Sequence, residues 1–342
     1  MLLRCFMKRR NFLQSSAVLT ASGVWSSLLA NSTQNVLKPN RLKPGDTIGI
    51  LSPGGAIKGP ESIEDTIALF NTMGFKTKVS AQALGRWGYF SGTDDERVND
   101  LHSMFSDPDI QAIITTRGGS GCNRLLPLLD YTLIKNNPKI FIGYSDITAL
   151  LNAITVKTGL VTFHGPVVTS TWNEVTLHYF NQVLMGNNNV VFTNPEESID
   201  DSIVKTITPG KASGRLFGGN LSVLSTMIGS EYLPDWSDTI LFLEDTKEDI
   251  YRIDRMLMHL KLAGILGKIK GFIFAQCTSC HQDDPGFSIH EILDQYIKPL
   301  GIPAWYGSMV GHIHDKFTLP IGLSVEINSQ DGSIQLLEPA VI

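Results

Sequence analysis

The chain reads as an α/β protein whose first half carries a mostly parallel sheet flanked by helices. Three observations predict this. Short apolar runs alternate with longer runs of helical periodicity from about residue 46 to residue 156, the pattern of repeated strand–helix–strand units. A length of 342 residues, 42% of them hydrophobic and 18% charged, is enough for two domains with full cores. No internal run reaches the ~18 apolar residues that a membrane span needs, so stable membrane insertion is not expected.

The elements follow in order. Asn31 to Asn40 is a polar linker. Asp46 to Leu51 reads as a first strand ending in Ser52-Pro-Gly-Gly55, and Ile63 to Met73 has helical periodicity. Lys76 to Ser80 reads as a short strand. Thr93 caps a predicted helix whose first turn, Asp94-Asp95-Glu96, puts acids where the helix dipole favours them. That helix should end near Ser106-Asp-Pro108. Ile110 to Thr116 is an apolar strand, Cys122 to Leu129 a short helix, and Ile140 to Gly143 a strand that runs into a turn before the helix-like run Ile147 to Val156. From about Ser170 the pattern loosens, with Asn187-Asn188-Asn189 and an acidic patch from Glu196 to Asp201. We read 171–206 as a connecting segment between a first domain at 41–170 and a second at 207–342. The second half shows a Gly-rich turn at Gly218-Gly219, a strand at Ile240 to Leu243, a helix at Ile250 to Ala263, a strand at Ile269 to Ala275 and strands near 317–337. No internal repeat is evident.

In a mostly parallel sheet the functional site is expected at strand C-termini. Gly143-Tyr144-Ser145-Asp146 lies at such a point, with one serine on a sharp turn between a strand and a helix. This is the setting of a nucleophile elbow, although the second glycine of G-x-S-x-G is missing. Taken alone, the serine is equally well explained as a plain helix N-cap. Two distant segments favour chemistry. Glu244 ends an apolar run, Thr239-Ile-Leu-Phe-Leu, where a carboxylate is normally avoided, and His312 follows a glycine ahead of Leu319-Pro320-Ile321-Gly322. A serine nucleophile needs an imidazole to take its proton, and the imidazole needs a carboxylate to fix its tautomer. His314 competes with His312 for the role of base.

Arg117-Gly-Gly-Ser-Gly-Cys-Asn-Arg124, Gly143-Tyr-Ser-Asp-Ile-Thr148, Phe163-His-Gly-Pro166, Gly218-Gly-Asn-Leu221, Phe242-Leu-Glu-Asp245, Tyr251-Arg-Ile-Asp-Arg255 and Gly311-His312 occur in this order. From about Leu42 onward the chain thereby resembles the LD-carboxypeptidases, serine peptidases of murein recycling whose fold the microcin C immunity peptidases share. The resemblance implies Ser145 as nucleophile, His312 as general base and then acid, and Glu244 as its orienter. It implies an oxyanion hole from the backbone N–H groups of Asp146 and Gly119. Arg117, Ser120 and His164 become candidates for substrate binding; Ser120 stands where the family often carries an aromatic residue. The second domain is expected to be a smaller, barrel-like α/β unit with the site between the domains, and the protein a homodimer acting on murein peptides. The implied reaction removes a terminal D-alanine from a murein tetrapeptide through an acyl-enzyme, with no cofactor and no metal. A related amidase acting on peptidyl nucleotides or other small acylated amines, and a non-catalytic muropeptide-binding protein, are the alternatives.

The N-terminus reads separately. Met7-Lys8-Arg9-Arg10-Asn11-Phe12-Leu13-Gln14 is basic and precedes a weakly apolar run, Ser15 to Ala30, rich in Ala and Ser. This resembles a twin-arginine export signal and predicts a periplasmic protein, with a plain N-terminal tail on a cytoplasmic protein as the alternative. The first 30 residues hold four basic side chains and no acid, so the remainder carries 24 basic against 33 acidic residues, or −9. That balance disfavours nucleic acid as a partner.

Three further signals are weighed against blander readings. The 117–121 turn lacks the Lys-Ser/Thr ending of a phosphate loop, so an oxyanion or carboxylate cradle is expected. Cys277-Thr-Ser-Cys280-His281 matches the c-type haem attachment motif, but it follows a strand that should pack inside the second domain. A disulfide between neighbours, free thiols or an opportunistic metal site are preferred there. Cys122 sits in an apolar helix and reads as a buried thiol rather than a nucleophile.

Overall fold

The computed structural model describes residues 36–186, 189–195 and 204–342. The expected export signal at 1–30 lies outside the described residues, as does the acidic patch at 196–201. The first half alternates strand and helix: β1 (Thr47–Leu51), α1 (Glu61–Thr72), β2 (Lys76–Val79), α2 (Asp94–Ser106), β3 (Ile110–Thr115), α3 (Tyr131–Asn136), β4 (Ile140–Gly143), α4 (Thr148–Thr158) and β5 (Thr162–His164). Each inner strand is buried on both faces, which is why β1, β3 and β4 read as continuous apolar runs rather than alternating ones. The Thr93 cap expected for α2 is present and takes the form of a capping box: the Thr93 hydroxyl accepts from Glu96 N, and Glu96 accepts from Thr93 N.

The five strands run parallel in the order β2-β1-β3-β4-β5. The winding reverses at β1, so a crevice opens beyond the C-terminal ends of β1 and β3. The loop after β1 and the glycine turn after β3 meet there, with Gly55 N donating to Gly118 O at 2.8 Å. Arg97 of α2, fully buried, staples the two loops by donating to the carbonyls of Pro53 and Gly121 while pairing with Asp94. Asp94 also holds Arg124, and these cations keep its carboxyl below the usual carboxylate range.

The expected connecting segment contains more structure than the sequence pattern suggested. It holds α5 (Glu174–Leu184), whose N-cap Asn173 accepts from Thr176 N. Val175, Tyr179, Phe180 and Val183 recur at helical spacing, and the last three are buried. Trp172 and Phe180 pack on Phe70 of α1. The segment ends in β6 (Val191–Phe192) and the start of β7 (Lys205–Thr208).

The second half contains β8 (Lys211–Asn220), α6 (Leu221–Thr226), β9 (Thr239–Thr246), α7 (Ile250–Leu262), β10 (Gly271–Thr278), α8 (Ile289–Tyr296), β11 (Ala304–Tyr306), β12 (Leu319–Ile321), β13 (Ser324–Asn328) and β14 (Ser333–Leu336). All but β12 join an eight-stranded sheet in the order β6-β14-β13-β8-β9-β10-β11-β7. Its edge strands β6 and β7 do not pair, so the barrel-like unit is an open sheet. Gly218 and Gly219 are not a turn: the chain stays in β8 through both. Glycine is needed there because Phe242 O and the Thr148 side chain occupy the space of a Cβ.

One strand crosses between the sheets. β12 pairs antiparallel with β5 of the first sheet, and β13, two residues later, pairs with β8 of the second. Residues 35–342 accordingly form one compact unit.

Candidate active site

Ser145 has φ +64°, a left-handed conformation that a non-glycine residue adopts only at a cost. The helix-cap reading fails on this geometry: an N-cap residue is extended, and here Tyr144 takes that position with no side-chain cap bond. Ser145 begins a single 3₁₀ turn that runs directly into α4. The elbow is pressed against the glycine turn. A Cβ on Gly118 would lie 2.7 Å from Ser145 Cβ and 2.9 Å from both Ser145 Oγ and Asp146 N, so no other residue fits. Gly119, with φ +100°, lines the same cavity beside it. The Asp146 carboxylate ties the two segments from below by accepting from Cys122 N at 2.9 Å. Burial pushes its carboxyl above the usual range, and the bonds from Cys122 pull it back.

Glu244 lies on β9 opposite Asn220 of β8, and it is fully buried. His312 Nδ1 is 2.8 Å from Glu244 Oε2. Gly311 makes this contact possible, because a Cβ there would stand 2.4 Å from Glu244 Oε2. Burial works to raise the Glu244 carboxyl, but the charge and hydrogen bond of His312 hold it below the ordinary carboxylate range. The carboxylate therefore stays ionised beside the imidazole. His314 is exposed and has no such carboxylate contact, which decides between the two histidines. Asp245 anchors the strand end: it accepts from Asn220 Nδ2, Ser222 N and Ser222 Oγ.

Helix α4 links the serine to the glutamate. Its Thr148 Oγ1 accepts from Asn220 N, and its Asn152 donates to Gly218 O, so the helix that starts at the elbow rests on the strand beside Glu244. β12 brings the His312 loop back from the second half. Lys316, nearly buried, donates to the carbonyls of Ile313 and His314 and sits 5.6 Å above the Tyr144 ring. Tyr144 in turn meets His312 edge-on at 4.9 Å between ring centres.

Two cavities flank this arrangement. One of about 440 Å³ contains Ser145, His312, Gly118, Gly119 and Arg117. The other, about 590 Å³, is lined by His312 and by Lys247, Gln276, Cys277, Ser279 and Lys316. Tyr144, Thr169 and His312 border both. Among the expected substrate-binding residues only Arg117 lines a cavity. Ser120 is exposed but lines neither. His164 is 1% exposed, packed between Tyr144 and Phe242, and burial lowers its pKa to about 4, so it is a neutral interior residue behind the site. Helix α5 lines neither cavity, because Trp172 and Phe180 pack this segment onto Phe70 of the first half. Lys58 was not anticipated; its position just after the β1 loop, at the C-terminal edge of the sheet, is the signal that marks it. Cys277 and Cys280 form a disulfide, which engages both sulfurs of the haem-like motif. Cys122 is buried and its thiol is pushed up by burial, so it is inert as a nucleophile. Among the described residues no cluster of three or more His, Cys, Asp or Glu side chains is placed to hold a metal ion.

Comparison with known proteins places the chain in a family. Family models for the LD-carboxypeptidase N-terminal and C-terminal domains match residues 48–165 and 213–327. A probable murein peptide carboxypeptidase of Bacillus subtilis (strain 168) is 34% identical over 298 residues, covering 86% of this chain and 92% of that protein. The microcin C7 self-immunity protein MccF of Escherichia coli is 33% identical, covering 87% of this chain and 94% of that protein. The structure of MccF in complex with glutamyl sulfamoyl guanosine superimposes with a TM-score of 0.83 at 30% identity, covering 90% of this chain and all of that one. A muramoyltetrapeptide carboxypeptidase from Oxalobacter formigenes superimposes with a TM-score of 0.74 at 30% identity, over 85% of this chain and 97% of that one.

Proposed function

Because the chain belongs to the LD-carboxypeptidase family and matches both of its domains, we propose that it is a serine carboxypeptidase that removes the terminal D-alanine from murein tetrapeptides through an acyl-enzyme. The observation that carries the reading is the convergence of Ser145, on left-handed backbone, with the His312–Glu244 pair at one cavity. Ser145 Oγ attacks the carbonyl between the diamino acid and D-alanine. His312 takes the proton at the ring nitrogen that Glu244 does not hold. The ionised Glu244 fixes the tautomer and stabilises the imidazolium as it forms. The oxyanion is received by the backbone N–H groups of Asp146 and Gly119, on the two segments that the close Gly118 contact and the Asp146 side chain hold together. His312 then gives its proton to the departing amine, and water, deprotonated by the same histidine, releases the acyl group.

A second reading is favoured by the likeness to MccF, whose structure holds an aminoacyl sulfamoyl nucleoside. The larger cavity, with Lys247, Gln276 and Lys316, has room and polarity for such a group. The two are separated by incubating the purified chain with defined muropeptides and with aminoacyl sulfamoyl nucleosides, and identifying the products by mass spectrometry. Release of D-alanine from tetrapeptide, lost in Ser145→Ala, is the expected result. Cleavage confined to the nucleoside compounds would replace the first reading with the second.

A further inference from the structure

The 440 Å³ cavity that contains Ser145 is lined by two cations, Lys58 and Arg117, and by no carboxylate. Both side chains are exposed to it. Arg117 is braced by a bond from Nη1 to Ala56 O at 3.3 Å and is otherwise exposed. The same cavity has an apolar wall, Ile57 and Val167, only 5% and 2% exposed. A cationic pair beside a small apolar wall matches one chemical group in particular: an amino acid with a methyl side chain and a free carboxylate.

Size assigns that group to this side. The fragment that leaves is a single alanine, whereas the acyl fragment is a peptide of three residues. Cations bound both cavities, so charge alone does not assign the ends of the substrate. The larger cavity, about 590 Å³, lies across Tyr144 and His312 and takes the longer fragment. The smaller one then receives the alanine, with its nitrogen toward His312, its methyl against Ile57 and Val167, and its carboxylate toward Lys58 and Arg117.

We propose that Lys58 and Arg117 form a clamp for the terminal carboxylate of the departing D-alanine, and that this clamp makes the enzyme an exopeptidase. The inference rests on the carboxypeptidase reading above and adds what restricts that activity to chain ends. A charge-assisted hydrogen bond in a partly enclosed site is worth about 10- to 100-fold in binding. A site built around such a group also discriminates strongly against analogues that lack it.

The test compares the full chain on two tetrapeptides that differ only in ending in D-alanine or D-alaninamide. The parent should prefer the free carboxylate by about 100-fold or more in kcat/KM. Lys58→Met and Arg117→Met should each lose about 10- to 100-fold on the carboxylate substrate and at least tenfold less on the amide, which narrows the preference. Melting curves check that both variants fold, and the parent's own preference decides the matter if one does not. Equal turnover of the two substrates by the parent, or equal losses on both by the variants, would overturn the clamp and leave the peptidase reading standing. Cleavage of neither peptide by the parent would overturn the carboxypeptidase reading and the clamp with it.

Discussion

Ser145 is positioned by its immediate neighbours, whereas His312 is positioned by residues far away in the chain. The serine's geometry comes from four consecutive residues, Gly143 to Asp146, together with one glycine turn in the adjacent strand-end loop. His312 depends on Glu244, 68 residues away, and on β12, which leaves the second half to pair with β5. Both sides nevertheless use the same device at the closest contact: a glycine whose missing side chain lets backbone and functional group approach, Gly118 for the serine and Gly311 for the glutamate. The difference teaches that a strained serine elbow can be built from local backbone, while a histidine–carboxylate pair needs a buried charge that only long-range packing can enclose.

The sharpest test of this contrast separates chemistry from stability at Ser145. Ser145→Gly should lower kcat by ~10⁴–10⁶, the loss typical of a missing triad member. The same substitution should raise stability by about 1 kcal/mol, because glycine adopts φ +64° without the steric cost. Steady-state kinetics and denaturant unfolding check the two arms. A variant that is inactive and also less stable would show that the elbow is not strained.

On the other side the two effects should move together. Glu244→Gln leaves the fold of the pocket but removes the buried charge that pairs with His312, and kcat should fall by ~10³–10⁴. Because Glu244 is held below the ordinary carboxylate range, its ionised form contributes stability above the unfolded pKa, and that contribution disappears as pH falls through the folded value. The parent should therefore lose stability on acidification in a window that the Gln variant lacks. Chemical denaturation at a series of pH values would show it.

Gly311→Ala should be the milder counterpart. Its Cβ would meet Glu244 Oε2 at 2.4 Å and push His312 off its partner, for an expected loss of ~10²–10³ in kcat with the Ser145 elbow undisturbed. Activity within tenfold of the parent would mean that the His312 loop yields more easily than its packing suggests.

Asp245 gives the smallest effect, and one of opposite sign. Burial and the neighbouring Glu244 charge raise its pKa to about 6. A carboxyl whose pKa is raised on folding binds its proton more tightly in the native state, so stability declines as pH climbs from about 4 through about 6, by about 2–3 kcal/mol in all. In Asp245→Asn that decline should flatten. An unchanged slope would place the titration elsewhere.

The first sheet was legible in the sequence because its signals are local. β1, β3 and β4 are buried on both faces and therefore read as apolar runs, and the Thr93 cap and acidic first turn mark α2. The α5 helix was hidden by the asparagine and acidic stretches around it, although its apolar residues keep helical spacing. Ser145, Glu244 and His312 could be named because each sits at a strand end or beside a glycine, and because ordered motifs linked them to one family.

What the sequence by itself determined was the class of fold, most of the strands and helices in the first half, and the candidates Ser145, Glu244 and His312, with His314 as a competitor. The tertiary structure alone decided which histidine meets Glu244, that His164 and Ser120 stay out of the cavities, that Lys58 enters one, and that β12 crosses from one half to the other. The physical reason is the range of the forces involved. Backbone propensity, capping and apolar periodicity act within a few residues and leave their mark in the order of the letters. Burial of a charge, the closeness that a glycine permits and the pairing of a strand with a distant sheet depend on atoms brought together only when the whole core forms, and no short stretch of sequence carries their record.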